Sequence, residues 1–540
     1  MAQVKLADFK PLKPAEAKLV DWLQDGQRGV CIISGSVPPD PPPPEHILRA
    51  TFLRYLALGG CDGCRLPSTG VRVQGAYILG DDTRGEETQG LDLEGATLPG
   101  DLALFACRVP DPILLRSARI KSLFLNGSVL GNGLKADRLQ ADGNVHLHEA
   151  TIKGEMRLLG ARIGGNLSCT NASLEAEGYA LSCDGLQADG DVFLRGATIK
   201  GAVRFPGARI GGDLYCTKAS LEAEGTALLA SGAVIVGVFF LRDGASVKGA
   251  IDLTAASLGA INDDEACWPS EILLDRCRYG AFTGGPVDAD CRIRWLALQK
   301  PQKYGQEFWP DSYEHCAKVL REAGHGNEAR AILIEKEKLH RKARRDRLAA
   351  NLAKARDDRN TSELRDGVRP YSDRVIGFWL RLNSLWLWDS ILAVFVGYGR
   401  KPQNAAIWAV GFILLGWIIF LRAEGFAQIK PNLPQIQRAD EWVECGDGGR
   451  LRAGYTSQLV CFLDQPEGRS YPQFSAFIYS IDTFAPVVSL EMQSYWIPDD
   501  SQPIGYWARV YLWIHIAMGW ALTLLAVAGF SGLIKTDGGK

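Results

Sequence analysis

Residues able to do chemistry are few in this sequence and lie far apart. Gly131-Asn-Gly133-Leu-Lys-Ala136 has the G-x-G-x-x-A spacing of a dinucleotide-binding turn. Such a turn holds pyrophosphate only when a strand precedes it and a long helix follows. Here Leu134-Lys-Ala-Asp-Arg-Leu-Gln-Ala-Asp-Gly follows and leads into a repeat, so the segment reads as a corner. Cys61-Asp-Gly-Cys64 has C-x-x-C spacing but neither a second pair for zinc nor a βαβ setting for redox work. His146 and His148 alternate along an expected strand and share a face without a third ligand, which makes them surface residues. There is no Ser/His/Asp set, phosphate loop or paired-carboxylate motif. The expectation is a protein that is not an enzyme and carries no cofactor or metal.

Composition narrows the class further. The chain has 540 residues, 46% hydrophobic and 23% charged, with 60 Lys+Arg against 62 Asp+Glu. A net charge of -2 excludes a nucleic-acid binder that works by bulk positive charge. The apolar content excludes a disordered chain. Thirteen cysteines spread over this length are not a disulfide-stapled mini-domain. Residues 1–30 have no apolar leader core, so the first part of the chain is expected in the cytosol.

These scattered residues must be held by larger elements, and the chain divides into five. Residues 1–68 are expected to form an N-terminal helical cap. A helix starts at Pro14, Pro38–Pro44 is an extended linker, and Glu45–Leu58 is a second helix stopping at Gly59-Gly60. Residues 69–295 are repetitive. ADGNVHLHEATIKG from Ala141 and ADGDVFLRGATIKG from Ala188 are offset by 188 − 141 = 47. Within them Gly-Ala-x-Ile recurs, and Val192, Val203 and Leu214 step by 11. Leu91-Asp-Leu93 and Leu102-Ala-Leu104 fit earlier coils. Short alternating apolar pairs between glycine corners predict a β-solenoid, specifically a right-handed β-helix. Two 11-residue units make a coil, and 47 is two coils plus a small loop. Val192, Leu194, Ile199, Val203, Phe205, Ile210 and Leu214 point inward, with Ala197 and Ala208 at tight corners. A sandwich of hairpins is the competing fold.

Residues 296–370 read as a helical hairpin, broken at Gly324–Gly326, and a basic neck. Lys336, Lys338, Arg341, Lys342, Arg344, Arg345 and Arg347 are expected to contact an anionic inner leaflet. Residues 371–400 include an apolar stretch, Val375–Val396, that also carries Arg381, Asn383 and Asp389. Charges in mid-bilayer are costly, so this is expected to be an interfacial helix. Residues 401–540 contain two stretches long enough to span, Ala405–Leu421 and Val510–Ile534. Arg400, Lys401 and Lys535 beside them place both ends in the cytosol. Loop 422–509 is then extracytoplasmic. It holds Cys445 and Cys461, the only cysteines past Cys316, and these are expected to form a disulfide.

Phe474–Phe484 is apolar at helical spacing, too short to span, and ends before Pro486-Val-Val-Ser-Leu-Glu491. A short helix followed by an extended turn marks a re-entrant segment. The order span, re-entrant helix, span resembles the pore module of two-span potassium channels. Phe477-Ile-Tyr-Ser-Ile-Asp-Thr-Phe484 is similar to the pore helix of bacterial ion-channel domains fused behind pentapeptide-like repeats. Gly397-Tyr-Gly-Arg-Lys-Pro402 is typical of the approach to their first span. The whole chain resembles proteins often labelled membrane-associated oxidoreductase, although none of its residues supports that activity. The resemblance implies a homo-oligomer, a tetramer by analogy, passing monovalent cations across a plasma (inner) membrane, with most of each chain cytosolic. Its pore candidates are Asp482, Thr483, Val487, Val488, Ser489 and Glu491, the two carboxylates forming a cation-attracting ring. Ala485-Pro-Val-Val-Ser-Leu-Glu491 lacks both glycines of the potassium filter. The alternative is a membrane-anchored scaffold whose solenoid binds a cytosolic ligand or protein.

Overall fold

The computed structural model describes residues 5–27, 29–60, 69–80, 90–366, 384–386, 389–390, 394–395, 397, 403–446 and 451–530, with side chains undescribed at 355–366 and 529–530. Two compact units result, residues 1–336 and 337–540.

The first unit is a parallel β-solenoid of about nine turns, not a hairpin sandwich. One turn runs through four short strands, Val145–His146, Thr151–Lys153, Met156–Arg157 and Arg162–Ile163. Val145 lies over Leu123 on one side and Leu167 on the other, a step of 22 residues. Leu167 then pairs with Val192 and Val192 with Leu214, steps of 25 and 22, which sum to the 47-residue repeat. The three extra residues bulge out between Glu175 and Leu181.

The seven residues expected inside are fully buried, as are Ala197 and Ala208. Each large side chain so buried contributes about 1.5–3 kcal/mol. The Gly-Ala-x-Ile motif is explained by the turns. Gly160, Gly196 and Gly207 each have φ near +60°, where a side chain is strained, and the alanine after each fills a corner too tight for anything larger.

The N-terminal cap mixes helix and strand. Helix α1 (Pro14–Gln24) forms as expected. The expected helix at Glu45 does not start there: Ile47–Arg49 is a strand paired with Tyr77–Leu79, and α2 (Ala50–Ala57) begins only afterwards. Period analysis misses this because a three-residue strand running into a helix leaves no break in apolar spacing. The Glu16 carboxylate, fully buried, accepts from the Arg49 backbone at 3.1 Å and its side chain at 2.7 Å, clamping α1 to that strand. Phe52, Leu53 and Leu56 of α2 close the end of the core. At the other end, α3 (Ala289–Leu296) buries Arg292 against Asp263 at 2.8 Å and over the Phe282 ring at 3.6 Å. Helices α4 (Pro310–Glu322) and α5 (Gly326–Asp366) make the hairpin, and Tyr279 N–H of the last strand donates to His315 Nε2 at 2.9 Å.

In the second unit, α6 (Gln403–Gly425) and α8 (Pro503–Phe530) are, among the described residues, the two helices long and apolar enough to cross a membrane. Between them lies α7 (Ala476–Phe484), capped by the Ser475 side chain. Ile429–Pro431, just after α6, pairs antiparallel with Trp496–Pro498, just before α8. A small lobe of short helices sits in the α6–α7 connection around a Cys445–Cys461 disulfide, Cα atoms 5.7 Å apart. Most of the expected interfacial helix, including Arg381 and Asn383, lies outside the described residues; 384–386, 389–390 and 394–395 are helical.

Candidate functional site

Helix α7 lies against both long helices, and its contacts track their axes. Phe477 meets Trp417 at 5.7 Å and Tyr479 meets Phe420 at 4.8 Å, near the end of α6. Ser480 Oγ donates to the Ile413 carbonyl at 2.8 Å, and Phe484 stacks by Phe412. On α8 the same descent passes His515 and reaches Gly519, whose Cα lies under the Phe484 carbonyl. The C-terminus of α7 therefore sits near the middle of both long helices. Nine residues make about 13 Å of helix, under half of a ~30 Å hydrocarbon core. The chain then returns to the Trp496–Pro498 strand at the end where it came from.

The small residues on the long helices permit this approach. A side chain at Gly416 would overlap Ser480 and His515, and one at Gly519 would overlap the Phe484 carbonyl. His515 is fully buried, with Nε2 3.0 Å from the Ser480 carbonyl and Nδ1 3.2 Å from the Tyr511 hydroxyl. Since a carbonyl only accepts, Nε2 carries the proton. Tyr511 also lies 3.2 Å from the Phe412 carbonyl, so one polar network ties α6, α7 and α8 together.

The six pore candidates separate into two groups. Asp482 is buried, and its two oxygens accept from the backbone N–H groups of Leu490 at 2.6 Å and Gln493 at 2.7 Å. Thr483 is buried and turns its hydroxyl back to the Tyr479 carbonyl at 2.7 Å. Val487, Val488, Ser489 and Glu491 are exposed, Val487 by 84%, and Glu491 has φ 62°. Asp482 thus holds the returning segment, which presents an apolar edge ending in a carboxylate.

The basic neck is partly consumed inside the chain. Lys336 is buried on Glu314 at 2.8 Å. Arg341 pairs with Asp389 at 2.7 Å, and Arg345 takes the other oxygen of the same carboxylate. Lys338, Lys342, Arg344 and Arg347 are exposed. Asp389, which sequence reasoning treated as a cost at the membrane, is instead the anchor between α5 and the stretch ahead of α6.

Of the motifs with other chemistry, Gly131–Gly133 is a corner between two short strands. His146 faces outward and stacks on Phe124 at 5.3 Å, and His148 is exposed. Cys61 and Cys64 lie outside the described residues. Among the described residues no three His, Cys, Asp or Glu side chains gather as metal ligands. Sequence reasoning missed Tyr511 and Ser480; the signal was Tyr511 four residues before the lone His515 of an apolar helix, an i, i+4 pair. No family model, curated protein or solved structure matches the chain.

Proposed function

We propose that the protein is a membrane-anchored β-solenoid, right-handed by the usual hand of parallel crossovers, whose two-span module assembles around a common axis to make a cation pathway. The bulk of the chain lies in the cytosol, beneath a plasma (inner) membrane. The observation that carries this reading is α7. It descends to the middle of two apolar helices, ends there, and returns on the same side, with Asp482 binding the return. Non-helical backbone at that depth is tolerated only when buried in protein or lining a wet cavity. Val487, Val488 and Ser489 are uncovered in one chain, and closed symmetry would bring copies of them together. Glu491 then supplies the ring of carboxylates that concentrates cations.

Planar-bilayer recording of the purified protein tests this. Wild type should carry cation-selective current, and Glu491→Gln should reduce its conductance or selectivity. Silent bilayers holding inserted, intact protein would sink the pathway. The second reading is a scaffold in which the helices only anchor. The regular solenoid surface favours it. It predicts that replacing α6–α8 with an unrelated anchor leaves function intact, whereas the pathway reading predicts loss. Neither reading assigns an enzymatic activity.

A further inference from the structure

Beside the Asp389 clasp lies a groove of 490 Å³, lined by Arg344, Arg347, Leu348, Asn351, Ser384 and Leu385. Its size falls in the range of small-ligand sites. On α5 the lining residues recur at steps of three and four, so they share one stripe. Arg341 and Arg345 border this stripe and hold Asp389. The groove has an apolar part, Leu348 and Leu385, and a polar part of two guanidinium groups, an amide and a hydroxyl. Between Lys338 and Arg347 there are six cations, against which stand Asp346 and the Asp389 carboxylate that Arg341 and Arg345 share, so positive charge is in excess. The local field therefore favours an anion. Trp386, next to Leu385, is 62% exposed. Tryptophan settles at the level of lipid headgroups, and this segment leads into α6.

We propose that the groove binds the headgroup of an anionic phospholipid of the inner leaflet, with its phosphate on Arg344 and Arg347 and its first methylenes against Leu348 and Leu385. Planar guanidinium groups match phosphate oxygens in pairs, which gives them an advantage over the lysines nearby. Lys338 and Lys342, exposed on the same helix, supply only general attraction to the leaflet. A site of this kind differs from a diffuse basic patch because two arginines matter and two equally charged neighbours do not. The inference rests on the membrane reading.

Native mass spectrometry of the full chain in mild detergent, titrated with phosphatidylglycerol or phosphatidylcholine, reads occupancy directly. Wild type should retain phosphatidylglycerol in preference to phosphatidylcholine. The Arg344→Gln/Arg347→Gln variant should bind it about tenfold more weakly, while Lys338→Gln/Lys342→Gln should match wild type. Equal weakening in both variants would overturn the site in favour of diffuse attraction. Displacement of the lipid by equimolar inorganic phosphate would overturn the lipid and make dissolved phosphate the ligand. Alkaline extraction of native membranes separates the two ways of failing. A chain that washes off defeats the membrane reading itself, and one that stays but retains no phosphatidylglycerol defeats only the groove.

Discussion

At the residue scale, Asp482 shows how a carboxylate on a candidate pore helix can be structural. Both oxygens take backbone N–H groups from the returning segment, and the side chain is buried. Hydrogen bonds to a charged acceptor contribute about 1.5–3 kcal/mol each, offset in part here because the donors belong to the exposed Leu490 and Gln493 and can turn to water. Asp482→Ala should therefore destabilise the α7 unit by roughly 2–4 kcal/mol and open the return to protease. Asp482→Asn keeps one accepting oxygen and should fall between. Glu491→Gln, at an exposed position, should leave stability unchanged. Thermal melting in detergent with limited proteolysis checks this. If Asp482→Ala melts with wild type and its loop stays intact, the carboxylate is not the tether. Sequence reasoning found Asp482 and Glu491 as the two acids of the segment but could not tell them apart. What separates them is where Leu490 and Gln493 return, and that is a matter of tertiary path.

At the element scale, the solenoid coils are locked by a ladder that the repeat encodes. Asn144 Oδ1 accepts from Asn166 N, Asn166 Oδ1 from Asp191 N, Asp191 Oδ1 from Asp213 N, and Asp213 Oδ1 from Val238 N, all at 2.7–2.8 Å. The glycine one turn on must lack a side chain, because a Cβ at Gly190 would strike Asn166 Oδ1 and one at Gly212 would strike Asp191 Oδ1. Gly190→Ala should cost about 1–3 kcal/mol by overpacking. Asn166→Ala should cost about 1–3 kcal/mol by orphaning the Asp191 N–H. Because the first clash is with the atom that the second removes, the double variant should cost less than their sum. Urea titration of the four proteins measures the coupling, and strict additivity would show that the ladder and the glycine are independent. Much of this fold was legible. The 47-residue offset gave two coils and an insertion, and alternation gave the inward residues. The ladder was written in the same repeat, as Gly-Asn or Gly-Asp before each Val or Leu, but its meaning needs the neighbouring coil. The strand at Ile47–Arg49 was not legible, because its partner among the described residues is Tyr77–Leu79, about thirty residues away.

At the scale of the whole molecule, cysteine chemistry divides the chain in two. Among the described residues, nine cysteines between Cys31 and Cys316 are free and buried. Burial pushes the thiols of Cys107, Cys169 and Cys216 up to about 12. Thiols with such values hold almost no thiolate at neutral pH, so they are inert to alkylation until the solenoid unfolds. Cys445 and Cys461 are joined in the lobe between α6 and α7. Reduced and oxidised cysteines in one chain match a path through two compartments, a reducing cytosol and an oxidising exterior. On the proposed topology, in which α6 and α8 each cross the membrane, the solenoid and the C-terminal end of α8 share one side and the lobe faces the other. In right-side-out vesicles a membrane-impermeant reductant should therefore free Cys445 and Cys461 for labelling while added protease leaves the solenoid whole. In inverted vesicles the same protease should digest the solenoid, and the reductant should leave the disulfide closed. Peptide mass spectrometry of the labelled sites reads both outcomes. Reductant and protease acting from the same face would place lobe and solenoid in one compartment, and the two-span arrangement would fail with them.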